Sequence, residues 1–199
     1  APTTQTQTVA NPVASARLET NLRNVTKGTP NYVSTTTGNR SDEFTFRVTI
    51  TNTGTATLTG GAFKVQMPAG LEYVANYSRF YYTDAQGVDQ VLPLNDAIVS
   101  SGVNLPDVPV QYYTYVTYRA KIASNATAGG PYAPSNKFYS NGGAVNIADN
   151  GGRITVVAPN DGPSIVRNLF LQATGYNKTK AAQIGSRSAL NADRGDVVT

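Results

Sequence analysis

Residues Glu43 to Asn52 read Glu-Phe-Thr-Phe-Arg-Val-Thr-Ile-Thr-Asn, and no other stretch narrows the fold so far. Phe44, Phe46, Val48 and Ile50 fall on one side, with Thr45, Arg47, Thr49 and Thr51 on the other. That period of two marks an extended strand with one buried face. Burying such apolar side chains is worth about 1.5–3 kcal/mol each, before the conformational entropy that opposes it. This strand is expected to be central in its sheet.

The surrounding sequence repeats the signal. From Ala16, residues Leu18, Thr20, Leu22, Asn24 and Thr26 alternate with Arg17, Glu19, Asn21, Arg23 and Val25, until Gly28, Pro30 and the Ser34–Gly38 stretch break the pattern. Asn52-Thr53-Gly54-Thr55 reads as a turn, followed by a strand over Leu58–Met67 with a bulge at Gly60-Gly61. Beyond the Pro68-Ala69-Gly70 turn come strands over Leu71–Val74 and Arg79–Thr83, then short ones over Val91–Leu94 and Ile98–Ser100. Val110–Ala123 is the longest candidate. Tyr112, Thr114, Val116, Tyr118, Ala120 and Ile122 line the core there, while Tyr113, Tyr115, Thr117, Arg119 and Lys121 point outward. Phe138–Ile147, broken at Gly142-Gly143, and Arg153–Val157 complete the series. About seven to nine short strands with frequent turns, and no convincing helical period before residue 160, predict an all-β, antiparallel β-sandwich.

The organisation read from this pattern is an N-terminal arm over residues 1–15, a sandwich over 16–159 and a C-terminal extension over 160–199. The arm, Thr/Gln-rich with Pro2 and Pro12, has the composition of a linker. The extension holds the apolar run Ile165, Val166, Leu169, Phe170 and Leu171 and is expected to contain a short helix over Thr179–Ile184. About forty residues seldom sustain a core of their own, so it is read as a tail rather than a second domain.

Composition narrows function. The chain has no His and no Cys, which removes the usual neutral-pH base, the commonest metal ligand and the strongest side-chain nucleophile. No lipase-type serine elbow, phosphate loop or zinc pattern is present, so the expectation is a non-enzymatic protein without a cofactor. The formal net charge is +4 and the pI about 9.3. The sixteen Lys and Arg are scattered, which argues against a nucleic-acid partner. No apolar stretch approaches the ~18 residues of a membrane helix. Charged residues make up only 14% of the chain, below the roughly 25% usual in soluble domains. A surface of hydroxyls and amides suits contact with copies of itself or with glycans. The Ala1-Pro2-Thr3-Thr4 start, without Met, suggests a mature exported form, and the expected setting is extracellular, on a cell surface.

Two motifs carry a family resemblance. The run Thr49-Ile50-Thr51-Asn52-Thr53-Gly54-Thr55-Ala56-Thr57-Leu58, then Met67-Pro68-Ala69-Gly70-Leu71-Glu72-Tyr73-Val74, resembles the DUF11 (conserved repeat) domain of bacterial and archaeal surface proteins. The segment Leu105 to Ile122 is similar to that family's next long strand, and the resemblance spans roughly residues 16–157. It implies an immunoglobulin-like sandwich and a cell-surface, adhesive or fimbrial role. The family usually occurs in tandem, whereas one copy is read here.

These observations lead to an expected structural subunit of an extracellular filament, pilus-like fibre or surface layer, joined head to tail by strand exchange with copies of itself. Donor-strand candidates are Thr4, Thr6, Thr8, Val9 and Val13 in the arm, and Ile165, Leu169 and Leu171 in the tail. The alternative is a monomeric adhesin or carbohydrate-binding module, with Tyr113 and Tyr115 as contact aromatics. Asn-x-Ser/Thr sequons at Asn24, Asn39, Asn76, Asn125 and Asn177 are glycosylation candidates. Lesser readings are a cross-link from Lys64 or Lys121 to Asn146 beside Glu72, and Ca²⁺ at Asp84, Asp89 and Asp149-Asn150. A further one is an integrin-type tripeptide at Arg194-Gly195-Asp196. Ordinary turns and solvated strand residues account for each of these three.

Overall fold

Strand formation follows the alternation closely where both faces of a segment are distinct. The computed structural model describes residues 11–84, 86–158, 175–177 and 182–184. The chain divides into two units, Ala1–Pro159 and Asn160–Thr199. The first is all-β.

Its strands are β1 (Ala16–Asn24), β2 (Thr35–Gly38), β3 (Glu43–Asn52), β4 (Gly61–Gln66), β5 (Leu71–Thr83), β6 (Asp89–Pro93), β7 (Val103–Leu105), β8 (Tyr113–Ile122), β9 (Gly129–Tyr132), β10 (Ser135–Ser140), β11 (Val145–Asp149) and β12 (Arg153–Val156). One sheet has the order β1-β3-β8-β5-β6, a second β11-β10-β4-β7 and a third β2-β12-β9. Pairing is antiparallel except between β2 and β12, which run parallel from Thr35↔Arg153 to Gly38↔Val156. The expected all-antiparallel pattern is corrected at that one pair.

β3 matches the expected span residue for residue and is an interior strand, with β8 in the middle of the sheet. Phe44, Phe46, Val48 and Ile50 are fully buried and join Phe63 and Val65 of β4 and Phe138 of β10 in one cluster. The first two sheets thus share a single core. Phe46 stacks on Tyr118 of β8 with ring centroids 5.1 Å apart. The Tyr118 hydroxyl donates to Asn136 Oδ1 at 2.9 Å, and Asn136 Nδ2 donates to Thr20 Oγ1 at 3.0 Å, so this buried polar chain ties β8, β10 and β1 together. Burial pushes the Tyr118 phenol far above its usual range.

Several expectations fail for identifiable reasons. Thr35–Gly38, read as a breaker, is β2, because its backbone pairs with β12, and Gly38 is required there by crowding. A Cβ at Gly38 would lie 2.6 Å from Phe44 Cζ and 2.8 Å from Ile122 Cδ1. Leu71–Val74 and Arg79–Thr83 are the two ends of one strand, β5, whose register on β8 shifts between Val74 and Arg79. Asn76 sits in that irregularity at φ 66, and β5, not Val110–Ala123, is the longest strand. Ile98 is buried from a 3-10 turn over Asp96–Val99 rather than from a strand. Tyr112 is exposed, not core, because a turn closed by its N–H onto Pro109 O, with Gln111 at φ 66, delays β8 until Tyr113.

In the second unit Gly175–Asn177 and Ala182–Ile184 form an antiparallel pair, so the helix expected over Thr179–Ile184 is corrected at Ala182–Ile184, while residues 179–181 lie outside the described residues. Among the described residues no helix is long and apolar enough to cross a membrane.

Candidate functional site

The outward residues of the five-stranded sheet are the ones the core does not claim, and they are rich in tyrosine and arginine. Strand register lines them up in rows. Glu19, Thr49, Tyr115, Tyr81 and Val91 are successive partners across β1, β3, β8, β5 and β6. The Tyr81 and Tyr115 rings stack at 4.5 Å with 15° between their planes. Arg47 lies over Tyr32 at 4.4 Å and 5.9 Å from the Tyr115 centroid, while Arg119 lies 4.0 Å over Tyr77. Partial burial, with the neighbouring Tyr81 next, raises the Tyr115 phenol above its usual value.

At one end of this face Tyr81, Tyr82, Thr83, Asp89, Gln90, Val91, Gln111, Tyr112, Tyr113 and Tyr115 border a groove of about 520 Å³. Tyr113 is 65% exposed, so the outward placement expected of it holds, and Tyr115 is half-buried beneath its stack with Tyr81. The groove's outer wall is held by its own hydrogen bonds. Asp84 accepts from the Gln86 and Val88 N–H groups and from Gln90 Nε2 at 2.7 Å, and Thr83 Oγ1 donates to Asp89 Oδ1 at 2.9 Å. Those bonds hold the Asp84 carboxyl below its usual value. The carboxylates suggested for Ca²⁺ here fasten a turn. Asp149 likewise accepts from the Gly151 N–H at 3.2 Å.

The donor-strand candidates divide sharply. Thr4, Thr6, Thr8, Val9, Ile165, Leu169 and Leu171 lie outside the described residues. Val13 is exposed, but its backbone is engaged within its own unit. Val13 O accepts from Thr55 N and Ala56 N, Val13 N donates to Thr55 Oγ1, and Ser15 O accepts from Thr53 N. This clamp on the Asn52–Ala56 turn withdraws Val13 from any free arm. Gly54 allows it, since a Cβ there would fall 2.3 Å from Val13 O.

Among the sequons, Asn39, Asn76 and Asn125 are exposed, whereas Asn24 is buried and corrected as a glycosylation site. The Asn177 backbone lies in the second unit's strand pair. The cross-link reading fails as well. Lys121 forms an exposed ion pair with Glu72 at 3.0 Å in the first sheet, and β10 separates Lys64 on β4 from Asn146 on β11.

Asn24 has a different role. Its Nδ2 donates to Asp42 Oδ2 at 3.0 Å, its Oδ1 accepts from Lys27 N at 2.8 Å, and Lys27 Nζ stands 3.7 Å from the same Asp42 oxygen, which also accepts from Asn39 N at 3.0 Å. This latch closes the end of β1 onto the start of β3. Two residues before Asn24, Leu22 bridges antiparallel to Val33.

The second unit carries the same order of residues. Asn177-Lys178-Thr179-Lys180 follows Asn24-Val25-Thr26-Lys27, and Arg194-Gly195-Asp196-Val197-Val198-Thr199 follows Arg40-Ser41-Asp42-Glu43-Phe44-Thr45. Two residues before Asn177, Gly175 pairs antiparallel with Ile184, as Leu22 does with Val33. Arg194-Gly195-Asp196, which lies outside the described residues, therefore occupies the sequence position of the latch aspartate. This recurrence was open to sequence reading, in polar residues rather than in the apolar ones that were followed.

No family model matches the chain, and no curated protein matches it. Among solved structures it is similar to a family 123 glycoside hydrolase from Clostridium perfringens, described in connection with glycolipid glycan hydrolysis. That likeness has 12% identity and a TM-score of 0.36, over 71% of this chain and 27% of that one. It is also similar to AvmM, which catalyses macrocyclization in alchivemycin A biosynthesis, at 10% identity and a TM-score of 0.33, over 73% of this chain and 90% of that one. At such scores neither likeness defines an activity. The class that the fold and surface establish is an all-β protein, mostly antiparallel, with an aromatic outer sheet face.

Proposed function

We propose that this chain is a non-catalytic structural subunit of an extracellular filament or surface layer, built on an immunoglobulin-like β-sandwich and joined head to tail through its terminal segments. The observation that carries the reading is the recurrence of the latch's residue order along the sequence. Asn24, Lys27 and Asp42 have counterparts, in the same sequence order, at Asn177, Lys180 and Asp196. Repetition of a residue pattern along a chain is a sequence sign of an array of similar units. Ile165, Leu169 and Leu171 are the proposed donor residues of the C-terminal segment. The motif resemblance to the conserved-repeat domains of surface proteins agrees with this reading. So does a surface that relies on amides and hydroxyls more than on charge.

Electron microscopy and sedimentation of the purified chain test it. Regular head-to-tail assemblies are expected, and deleting residues 160–199 abolishes them while the thermal transition of the first unit stays in place. A chain that remains monomeric at every concentration, or assemblies indifferent to that deletion, would refute the reading.

A further inference from the structure

We infer that the groove between β6 and the start of β8 is a binding site for neutral, pyranose-containing oligosaccharide. The argument begins with what the lining lacks. Among the described residues Asp89 is its one carboxylate and no Lys or Arg borders it, although the chain is basic overall. A phosphate, sulfate or uronate would find no counter-charge there, and a cationic ligand would find only a carboxylate already hydrogen-bonded to Thr83.

What the lining offers is amphipathic in the manner of a sugar ring. Five tyrosines provide flat apolar faces with a polar tip, and Gln90, Gln111 and Thr83 provide neutral donors and acceptors at the edge. A pyranose carries the matching pattern, with C–H groups on its faces and hydroxyls around its rim. Tyr112 and Tyr113 are large rings left exposed side by side, and neither contributes to the core. The groove's volume of about 520 Å³ falls within the range of small-molecule sites.

The site is also set before any ligand arrives. Tyr81 and Tyr115 hold each other by stacking, Arg47 packs near Tyr115, and the Asp84 turn fixes Gln90 at 2.7 Å. Tyr81, Tyr115 and Gln90 therefore have little side-chain freedom left to lose on binding. The exposed sequon residues Asn39, Asn76 and Asn125 are absent from the lining, so glycans on the chain itself need not be invoked.

The chain contains no Trp, so its ultraviolet emission comes from tyrosine, and five of its twelve tyrosines border this groove. Cellohexaose, chitohexaose and mannohexaose are titrated in turn into the full chain, with polygalacturonate as the anionic control. At least one neutral hexasaccharide is expected to bind at micromolar to millimolar concentration. Tyr113→Ala should weaken it about tenfold or more, as loss of a central aromatic anchor does. Tyr113→Phe should stay within about twofold, because the ring face is retained. Neither variant should shift the melting temperature, since Tyr113 is 65% exposed.

Three results would overturn the assignment. One is no response to any of the neutral sugars. Another is a Tyr113→Ala variant that binds like the parent, or tighter binding of polygalacturonate than of all the neutral sugars. The third is sedimentation evidence of a dimer that Tyr113→Ala dissociates, which would make a second copy of the chain the occupant.

Discussion

Removing the Asp42 carboxylate should destabilise the first unit more than any other single change at the end of β1. Asp42 is 6% exposed, and its Oδ2 accepts from Asn24 Nδ2 and from Asn39 N, both at 3.0 Å. Hydrogen bonds to a charged acceptor contribute about 1.5–3 kcal/mol each. They are not additive here, because both converge on one oxygen. Lys27 stands further off at 3.7 Å with its side chain 44% exposed, so solvent screening limits it to about 1 kcal/mol or less. Asp42→Ala also strands the buried Asn24 amide. The total is about 3–5 kcal/mol, the range for removing one partner of a buried charged network. For a domain of this size that lowers the melting temperature by about 10 °C.

Asn24→Ala should cost about 2 kcal/mol, since the carboxylate keeps the Asn39 N–H, and Lys27→Met less than about 1 kcal/mol. Urea denaturation followed by far-ultraviolet circular dichroism gives all three values. An order in which Lys27→Met exceeds Asn24→Ala, or an Asp42→Ala loss below about 1 kcal/mol, would refute the view that hydrogen bonds rather than the ion pair hold this latch.

Other expectations follow from the core and the backbone. Tyr118→Phe leaves Asn136 Oδ1 buried without its donor and should cost about 1–3 kcal/mol in the same urea assay. Gly152→Ala should be far worse than Gly60→Ala. Both positions have positive φ, but a Cβ at Gly152 would sit 2.8 Å from Thr20 Cγ2 and 3.2 Å from Phe46 Cδ1, whereas Gly60 has open space, and paired melting curves decide. Alkali should also weaken the fold. Burial first, then the hydrogen bond to Asp96, pushes Tyr73 from 10.0 up to about 12, and Tyr118 moves the same way. A raised folded pKa makes that stability complete below pH 10 and lost as pH rises toward 12. Tyr73→Phe should flatten the decline of melting temperature across that window.

Some of this was legible in the residues themselves. β3 and β12 declare themselves because their apolar and polar faces differ at every step, and burial of Phe44, Phe46, Val48 and Ile50 follows that alternation. β2, β7 and β9 do not. Each is only three or four residues long and exists because a neighbouring strand offers hydrogen bonds, as β12 does for both β2 and β9. Thr35-Thr36-Thr37-Gly38 looks like a loop until its partner is known. Tyr112 escapes the core because β8 begins only at Tyr113, and the positive φ at Gln111 that delays it leaves no trace in an alternation count. In the groove, Tyr113 and Tyr115 could be picked out as outward residues. The contribution of Tyr81, Gln90 and Asp89 depended on pairing of β5 with β6 and β8, which spacing along the chain does not encode. The recurrence of the latch's residue order at Asn177, Lys180 and Asp196 is hard to see because its identities are polar and no apolar run marks it.

The clamp of Val13 and Ser15 on the Thr53–Ala56 turn bears on how a fibre would carry load. Tension arriving from the first residues meets these few bonds before it reaches the long ladder of β1 on β3. In the proposed filament this clamp would therefore yield before the hydrophobic interior does.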